Sequence, residues 1–441
     1  MKLSHTTGIF SRSAFLLAIF AIACAFAPAA QEADAASSAS EYTEDATAPG
    51  AQAAPATTAA PAAIHAAEPL QFYEDAPEAD RKAVETSRVL SGEGKWLSAW
   101  KSLAEYDAAG ANPWILAEKV RLAAKGYAQT MMHMVFAFAD LAEGEDLESL
   151  RQGVPEDLEP VEFNPAESAS AIEKSGEAMP AVLSLALGDF YFDVWTLYQG
   201  QWMQEDAAIL GMAAEYYERA FAYDTFTAES LTKQSDVLVA LQRLDAAEAV
   251  VKKGLELEPG SVPLSLKLGD ILLGQGRNAE VYLLADSLVA AASAPGAGAG
   301  LGAQAYILGI KAGLAALDRE GVEKYLAGYE ASFPGEIMPG LVRHLVLVRL
   351  GDAAGADAAA DAVTAAFPGN PDVIRSILST WLSVQDAVSG FRYLDRSLAK
   401  EPQGEAAAAL YFYRALLGAE TAAEVGGIEA ALIDLAKAEE Y

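Results

Sequence analysis

Pro334, Pro368 and Pro402 are spaced by 34 residues each, and Pro259 closes a similar unit earlier in the chain. A fixed period of this size leaves few folds open, because each repeat must be one supersecondary unit that buries its apolar face against the next. Three units can be written out: AESLTKQSDVLVALQRLDAAEAVVKKGLELEPGS (228–261), IMPGLVRHLVLVRLGDAAGADAAADAVTAAFPGN (337–370) and PDVIRSILSTWLSVQDAVSGFRYLDRSLAKEPQG (371–404). Each reads as helix–turn–helix, since good helix formers dominate, β-branched runs are sparse and glycines fall at helix-length intervals. From about residue 71 onward no run alternates convincingly enough for a strand, so the expected class is all-α.

The period, with a proline closing the second helix, resembles the tetratricopeptide repeat. Within that frame Leu238, Leu272, Leu347 and Trp381 occupy the large position of helix A. Ala213, Ala247, Ala356 and Gly390 occupy the small position of helix B. Residues 262–293 keep a Leu268-Gly269 pair and a Gly276 turn, and 303–336 end in Phe333-Pro334 after a Pro/Gly/Ala loop at 294–302. AAEYYERAFAYDT (213–225) matches a helix B, and GKWLSAWKSLAEYDAAGANP (94–113) resembles another. The resemblance covers 201–441 well and the upstream residues weakly. It implies an α-solenoid: degenerate helical repeats over 71–200, then an array over 201–441. A last helix at 428–441 is expected to cap it, with Asp434, Lys437, Glu439 and Glu440 on its polar side. Asn112-Pro113 opens an expected long helix through about 142, followed by an acidic loop at 143–168.

The N-terminus carries an export signal. Lys2 and Arg12 precede an apolar run at 13–23, long enough for a signal peptide and too short for a permanent membrane helix. AIAC (21–24) resembles a bacterial lipobox, although Ala21 stands where that family usually has Leu. It implies lipidation of Cys24, the sole cysteine, as residues 1–24 are removed or modified. Ordinary cleavage after Ala27-Pro28-Ala29 or Ala33-Asp34-Ala35 is the competing reading. Residues 25–70 are rich in Ala, Pro, Ser and Thr without hydrophobic periodicity and read as a disordered tether. The expected location is the periplasm or the envelope, with membrane contact only through the N-terminal lipid.

No enzyme emerges from the side chains. His5 and His65 lie in the leader and tether, leaving His133 and His344, 211 residues apart and without a cysteine partner for a nucleophilic triad. GEGKW (92–96) lacks the glycine spacing of a phosphate-binding loop, and GAGAGLG (296–302) fails the dinucleotide spacing. MMHMVFAF (131–138) holds Met131, His133 and Met134, but a Met-rich buried helix explains it better than a copper or haem site. His344 reads as a packed core histidine. No catalytic residue, cofactor or metal is expected. With 62 acidic against 30 basic side chains and a formal charge of −32, nucleic acid is excluded as a partner by repulsion.

In tetratricopeptide proteins helix A lines the concave groove. That resemblance places Glu229, Thr232 and Asp236, then Leu266, Asp270 and Leu273, on the groove wall. Met338, Leu341, Leu345 and Arg349 follow, then Asp372, Arg375, Ser379 and Leu382. The set lacks the Lys/Asn/Arg clamp with which some members hold a C-terminal carboxylate, so an extended peptide, an amphipathic helix or a basic protein surface suits it better. Upstream, Tyr191, Trp195, Tyr198 and Trp202 fall at steps of four, three and four. They should line one face of an extended helix A, with Tyr191 in ordinary packing and Trp195, Tyr198 and Trp202 as either core or an aromatic binding surface. The expected function is a non-catalytic scaffold of the bacterial cell envelope that binds protein partners through its groove. The alternative is an accessory lipoprotein of a tripartite periplasmic transporter that handles a small hydrophobic ligand; NPWILAEKVRLAAKGYAQ (112–129) looks faintly like one helix of that family.

Overall fold

A computed structural model describes residues 70–131, 134–152, 158–176, 178–293, 299–400, 402–420 and 427–441. The expected export segment and tether up to residue 69, with Cys24, His133 and part of the 296–302 loop, lie outside the described residues. The described chain divides into two compact units that meet between Tyr325 and Leu326. Among the described residues no helix is long and apolar enough to cross a membrane.

The first unit opens with helices α1 (Glu78–Gly92), α2 (Trp96–Tyr106) and α3 (Pro113–Lys125). Asn112 starts α3 as expected, its side chain accepting hydrogen bonds from the N–H groups of Trp114 and Ile115, with Pro113 supplying a helical φ in the first turn. The helix ends at Lys125, and its expected continuation to about 142 is replaced by a sheet. Strands β1 (Gln129–Met131) and β2 (Val135–Phe138) form an antiparallel hairpin in which Thr130 pairs with Phe136. After α4 (Leu147–Gln152), β3 (Glu159–Glu162) pairs with β2, Phe136 opposite Val161. The physical reason is aromatic packing. Phe136 and Phe138 lie two apart on one face of β2, both buried, and Phe138 stacks on Trp100 with ring centroids 4.8 Å apart. The expected Met-rich helix is therefore this hairpin. Pro160 is tolerated because β3 is an edge strand.

Helix pairs follow: α5 (Pro165–Ser175), then α6 (Ala181–Tyr198) with α7 (Asp206–Phe221), and α8 (Ala228–Ala240) with α9 (Leu244–Leu257). Next come α10 (Val262–Gly274) with α11 (Asn278–Ala292), and α12 (Ala299–Ala316) with α13 (Arg319–Ser332), within which the unit boundary falls. The small positions behave as the repeat requires, Ala213 and Ala247 both being fully buried where the paired helices meet. A buried ion triad stiffens α1 against α3. Glu118 is fully enclosed, with Arg88 Nε at 3.1 Å from Oε2 and Arg121 Nη2 at 2.5 Å from Oε1.

In the second unit α14 (Ile337–Arg349) pairs with α15 (Ala353–Ala366), α16 (Pro371–Ser383) with α17 (Ala387–Leu398), and α18 (Glu405–Glu420) with α19 (Gly427–Glu440). His344 is a core histidine, fully buried, with Nδ1 3.0 Å from the Ala356 carbonyl oxygen and its ring edge-on to Trp381. Burial holds its pKa below the ordinary value. The fold is thus all-α in its framework, built from tetratricopeptide-like helix pairs, with one small sheet near its start. In the last helix Glu439 and Glu440 are exposed as expected, and the expectation is corrected at Asp434. Asp434 is buried and holds Arg414 through two hydrogen bonds of 2.7 and 2.6 Å, while Leu432, Ile433 and Leu435 are exposed.

Candidate binding surfaces on the helix-A faces

The helix-A residues singled out from the sequence separate into two kinds of surface. In the first unit the acids are already engaged within the chain. Lys267 on α10 binds Asp236 on α8, and Lys311 on α12 reaches Asp270 on α10 at 2.9 Å. Lys233 on α8 sits among Asp189, Asp193 and Glu229, its Nζ 3.4, 3.5 and 3.4 Å from their oxygens. Thr232 donates its hydroxyl to the Ala228 carbonyl of its own helix. Leu266 and Leu273 are half-buried. This face is a ladder of lysine–carboxylate pairs joining successive repeats, rather than a row of free acids. The lysines were missed from the sequence, yet the signal was present: Lys233 and Lys267 are one 34-residue period apart, as are Asp236 and Asp270.

The ladder has a buried end. Burial alone would lower the Lys233 pKa, but its three carboxylates outweigh that and keep it protonated. Burial pushes the Asp193 carboxyl up to about 6; Lys233 opposes this, and the neighbouring Asp189 carboxylate adds to it. Tyr217 on α7 donates to Asp189 at 2.7 Å. A raised carboxyl pKa means that the folded state binds this proton more tightly than the unfolded chain, whose value is about 3.9. Asp193 therefore contributes stability below about pH 4 that is lost as pH rises through about 6. Asp193→Asn should raise the unfolding free energy by about 2 kcal/mol at pH 8 and leave it nearly unchanged below about pH 4. Equal effects at both pH values would show that Asp193 is solvated and ordinary.

The aromatic residues do not form one helical face. Tyr191 is buried and stacks on Tyr216 with centroids 5.9 Å apart. Trp195 is half-buried against Phe192 in the last turn of α6, and Tyr198 ends that helix. Gln199 turns left-handed (φ 40°), so Trp202 lies beyond the helix and folds back, buried, with its ring 4.6 Å from that of Tyr198. The four-three-four spacing continued past the point where the helix stops.

In the second unit the picture changes. Leu341 and Leu345 do not line a surface; both are buried in the core because α14 packs directly against α16. Met338 and Arg349 are half-buried, and Asp372 accepts from Arg375 at 2.6 Å on the same helix. Arg375, Ser379 and Leu382 meet Leu378 of α16 and Tyr413, Leu416 and Leu417 of α18 around a recess of about 100 Å³. Leu382 is 39% and Leu416 46% exposed, which places two aliphatic chains at its mouth. These two lie one 34-residue period apart, so the α18 half of the recess was legible had the repeat been carried past 404. Its floor is apolar and its polar groups, Arg375 and Ser379, stand at the rim. A recess of this size and lining has room for one aliphatic side chain flanked by hydrogen-bonding groups.

Among the described residues no group of three or more His, Cys, Asp or Glu is placed to hold a metal ion. No protein-family model matches the chain, and no curated protein matches it. Among solved structures it is similar to a thermophilic TPR protein of Thermus thermophilus, at 21% identity over 43% of this chain and 98% of that one, with a TM-score of 0.26. It is similar to a Rap protein complexed with competence and sporulation factor, at 13% identity over 82% and 98% of the two chains, TM-score 0.33. For yeast Tom70 the values are 13%, 83% and 82%, TM-score 0.34. Likenesses at this level carry no argument about function; the paired helices and their period establish the repeat fold here.

Proposed function

We propose that this chain is a non-catalytic repeat scaffold that binds a protein partner through the recess between α16 and α18. One observation carries the reading: an apolar recess whose mouth is formed by exposed Leu382 and Leu416, on helix-A faces where the preceding unit pairs Asp236 and Asp270 with its own lysines. Exposed aliphatic chains around a small concavity fit an anchor residue from a partner, and burying one such chain contributes about 2 kcal/mol. Crosslinking in cells followed by mass spectrometry tests this. A partner captured by the native chain should disappear with Leu382→Glu and Leu416→Glu. Undiminished capture by that variant would remove the recess as the docking surface.

The scaffold reading includes export and lipid anchoring at Cys24, supported by the basic start, the apolar run at 13–23 and the lipobox-like AIAC. Cells fed a clickable palmitate analogue should label the native chain and not Cys24→Ser. Equal labelling of both would place any lipid elsewhere, and no labelling of either would favour the ordinary cleavage site. The ligand-handling alternative gains little from the aromatic residues, since Trp202 is packed in the core and Trp195 and Tyr198 are half-buried against Phe192 and Trp202.

A further inference from the structure

The outward face of α19 carries exposed aliphatic side chains that the helix does not turn inward. Its inner face is fixed by Ala431, which is buried, and by the Asp434–Arg414 pair, so the helix cannot roll to hide its other apolar residues without breaking a two-point ion pair. At 100° per residue, the face opposite Asp434 carries Glu429, Leu432, Ala436 and Glu439, with Ile433 at one edge and Leu435 at the other. Leu432 is 62% and Ile433 55% exposed. The one cation of the helix, Lys437, turns the other way, its Nζ over the Tyr411 ring of α18 at 5.2 Å. The face is therefore an apolar centre between two carboxylate ends, Glu429 and Glu439, about 15 Å apart along the helix axis.

We propose that this face docks an amphipathic helix of a partner protein that has an apolar centre and basic ends. Charge selects the occupant. A second copy of this chain is disfavoured, because antiparallel pairing of two α19 helices about their apolar centres sets Glu429 of each against Glu439 of the other, in a chain already at −32. A helix with Lys or Arg about ten residues apart and aliphatic residues at i, i+3 and i+4 between them matches both the charge and the apolar centre. The surface is independent of the α16–α18 recess, which no α19 residue lines.

The test uses the full chain and two synthetic helical peptides that share an apolar centre, one with lysine ends and one with glutamate ends, followed by fluorescence anisotropy. The lysine-ended peptide should bind, more weakly as salt rises, and the glutamate-ended one should not. Leu432→Ser with Ile433→Ser should weaken binding about tenfold or more, since two aliphatic contacts are lost. Glu429→Lys with Glu439→Lys should reverse the preference to the glutamate-ended peptide, an outcome that loss of folding cannot mimic. Leu382→Glu with Leu416→Glu should leave binding intact. Affinity indifferent to Leu432 and Ile433 would reduce the effect to attraction between a polycation and an acidic chain, and overturn the proposal. A native chain that sediments as a dimer dissociated by Ile433→Ser would overturn it too, with a second copy as the occupant.

Discussion

Replacing Glu118 by alanine should destabilise the first unit by about 3–5 kcal/mol, because it strands two guanidinium groups in a nearly dry interior. Arg121 is buried and Arg88 almost so, and Glu118 is the carboxylate shared between them; Tyr73 also donates toward it at 3.4 Å. Burial works against the Glu118 charge, but Arg121 and Arg88 outweigh it and hold the carboxyl below its ordinary pKa. Its stabilising contribution is thus present above the unfolded value of about 4.3 and is lost as pH falls through the lower folded value. Hydrogen exchange read on α1 and α3 by mass spectrometry isolates this unit, which a single melting curve of a two-unit chain does not. A triple replacement, Arg88→Met, Glu118→Leu and Arg121→Met, should recover most of the loss, since removing all three charges leaves nothing uncompensated. A loss under about 1 kcal/mol for Glu118→Ala would mean that water reaches the triad.

The same contrast between pattern and chemistry explains what could be read in advance. Repeat boundaries were legible because period, helix caps and glycine turns coincide. The α8–α9, α14–α15 and α16–α17 pairs fall within the written units, and Asn370 caps α16 as the Asn-Pro pair implies. The β1–β2 hairpin was not legible, because Gln129 to Phe138 has too few residues for a clear period of two and its methionines are compatible with a helix. It forms because Trp100 and Phe163 offer an aromatic surface, with centroids 5.1 Å apart, which only the tertiary structure assembles. The helix-A faces were half legible. Arg375, Ser379 and Leu382, placed on the groove wall by position in the repeat, meet around one recess, but whether Asp236 and Asp270 were free depended on lysines one repeat away. Leu432 and Ile433 drew no reading from the sequence; their exposure follows from the buried Arg414–Asp434 pair, which only the tertiary structure shows.

Gly188 marks the point where helix propensity and packing make opposite predictions, and packing should win by about 1 kcal/mol. In an isolated helix, Gly188→Ala would gain about 1 kcal/mol by restricting the unfolded chain. In α6, however, a Cβ at this position would lie 2.7 Å from Cδ1 and 2.9 Å from Cε1 of Tyr217 on α7. Tyr217 has no room to yield. It is buried, and its hydroxyl is tied at 2.7 Å to Asp189, which in turn contacts Lys233. Overpacking of this kind costs about 1–3 kcal/mol and here also disturbs the first rung of the lysine ladder, so the net effect is a loss. Tyr217→Leu alone should destabilise by removing the ring and its hydrogen bond. Combined with Gly188→Ala it should cost less than the sum of the two, with a coupling of about 1–2 kcal/mol in a double-mutant cycle read by hydrogen exchange. If Gly188→Ala instead stabilised α6, the close approach of α6 and α7 would be wrong. With it would go the reason why a glycine follows Leu187 here and Leu268 in the α10 repeat, where a Cβ on Gly269 would meet Leu308 at 2.6 Å.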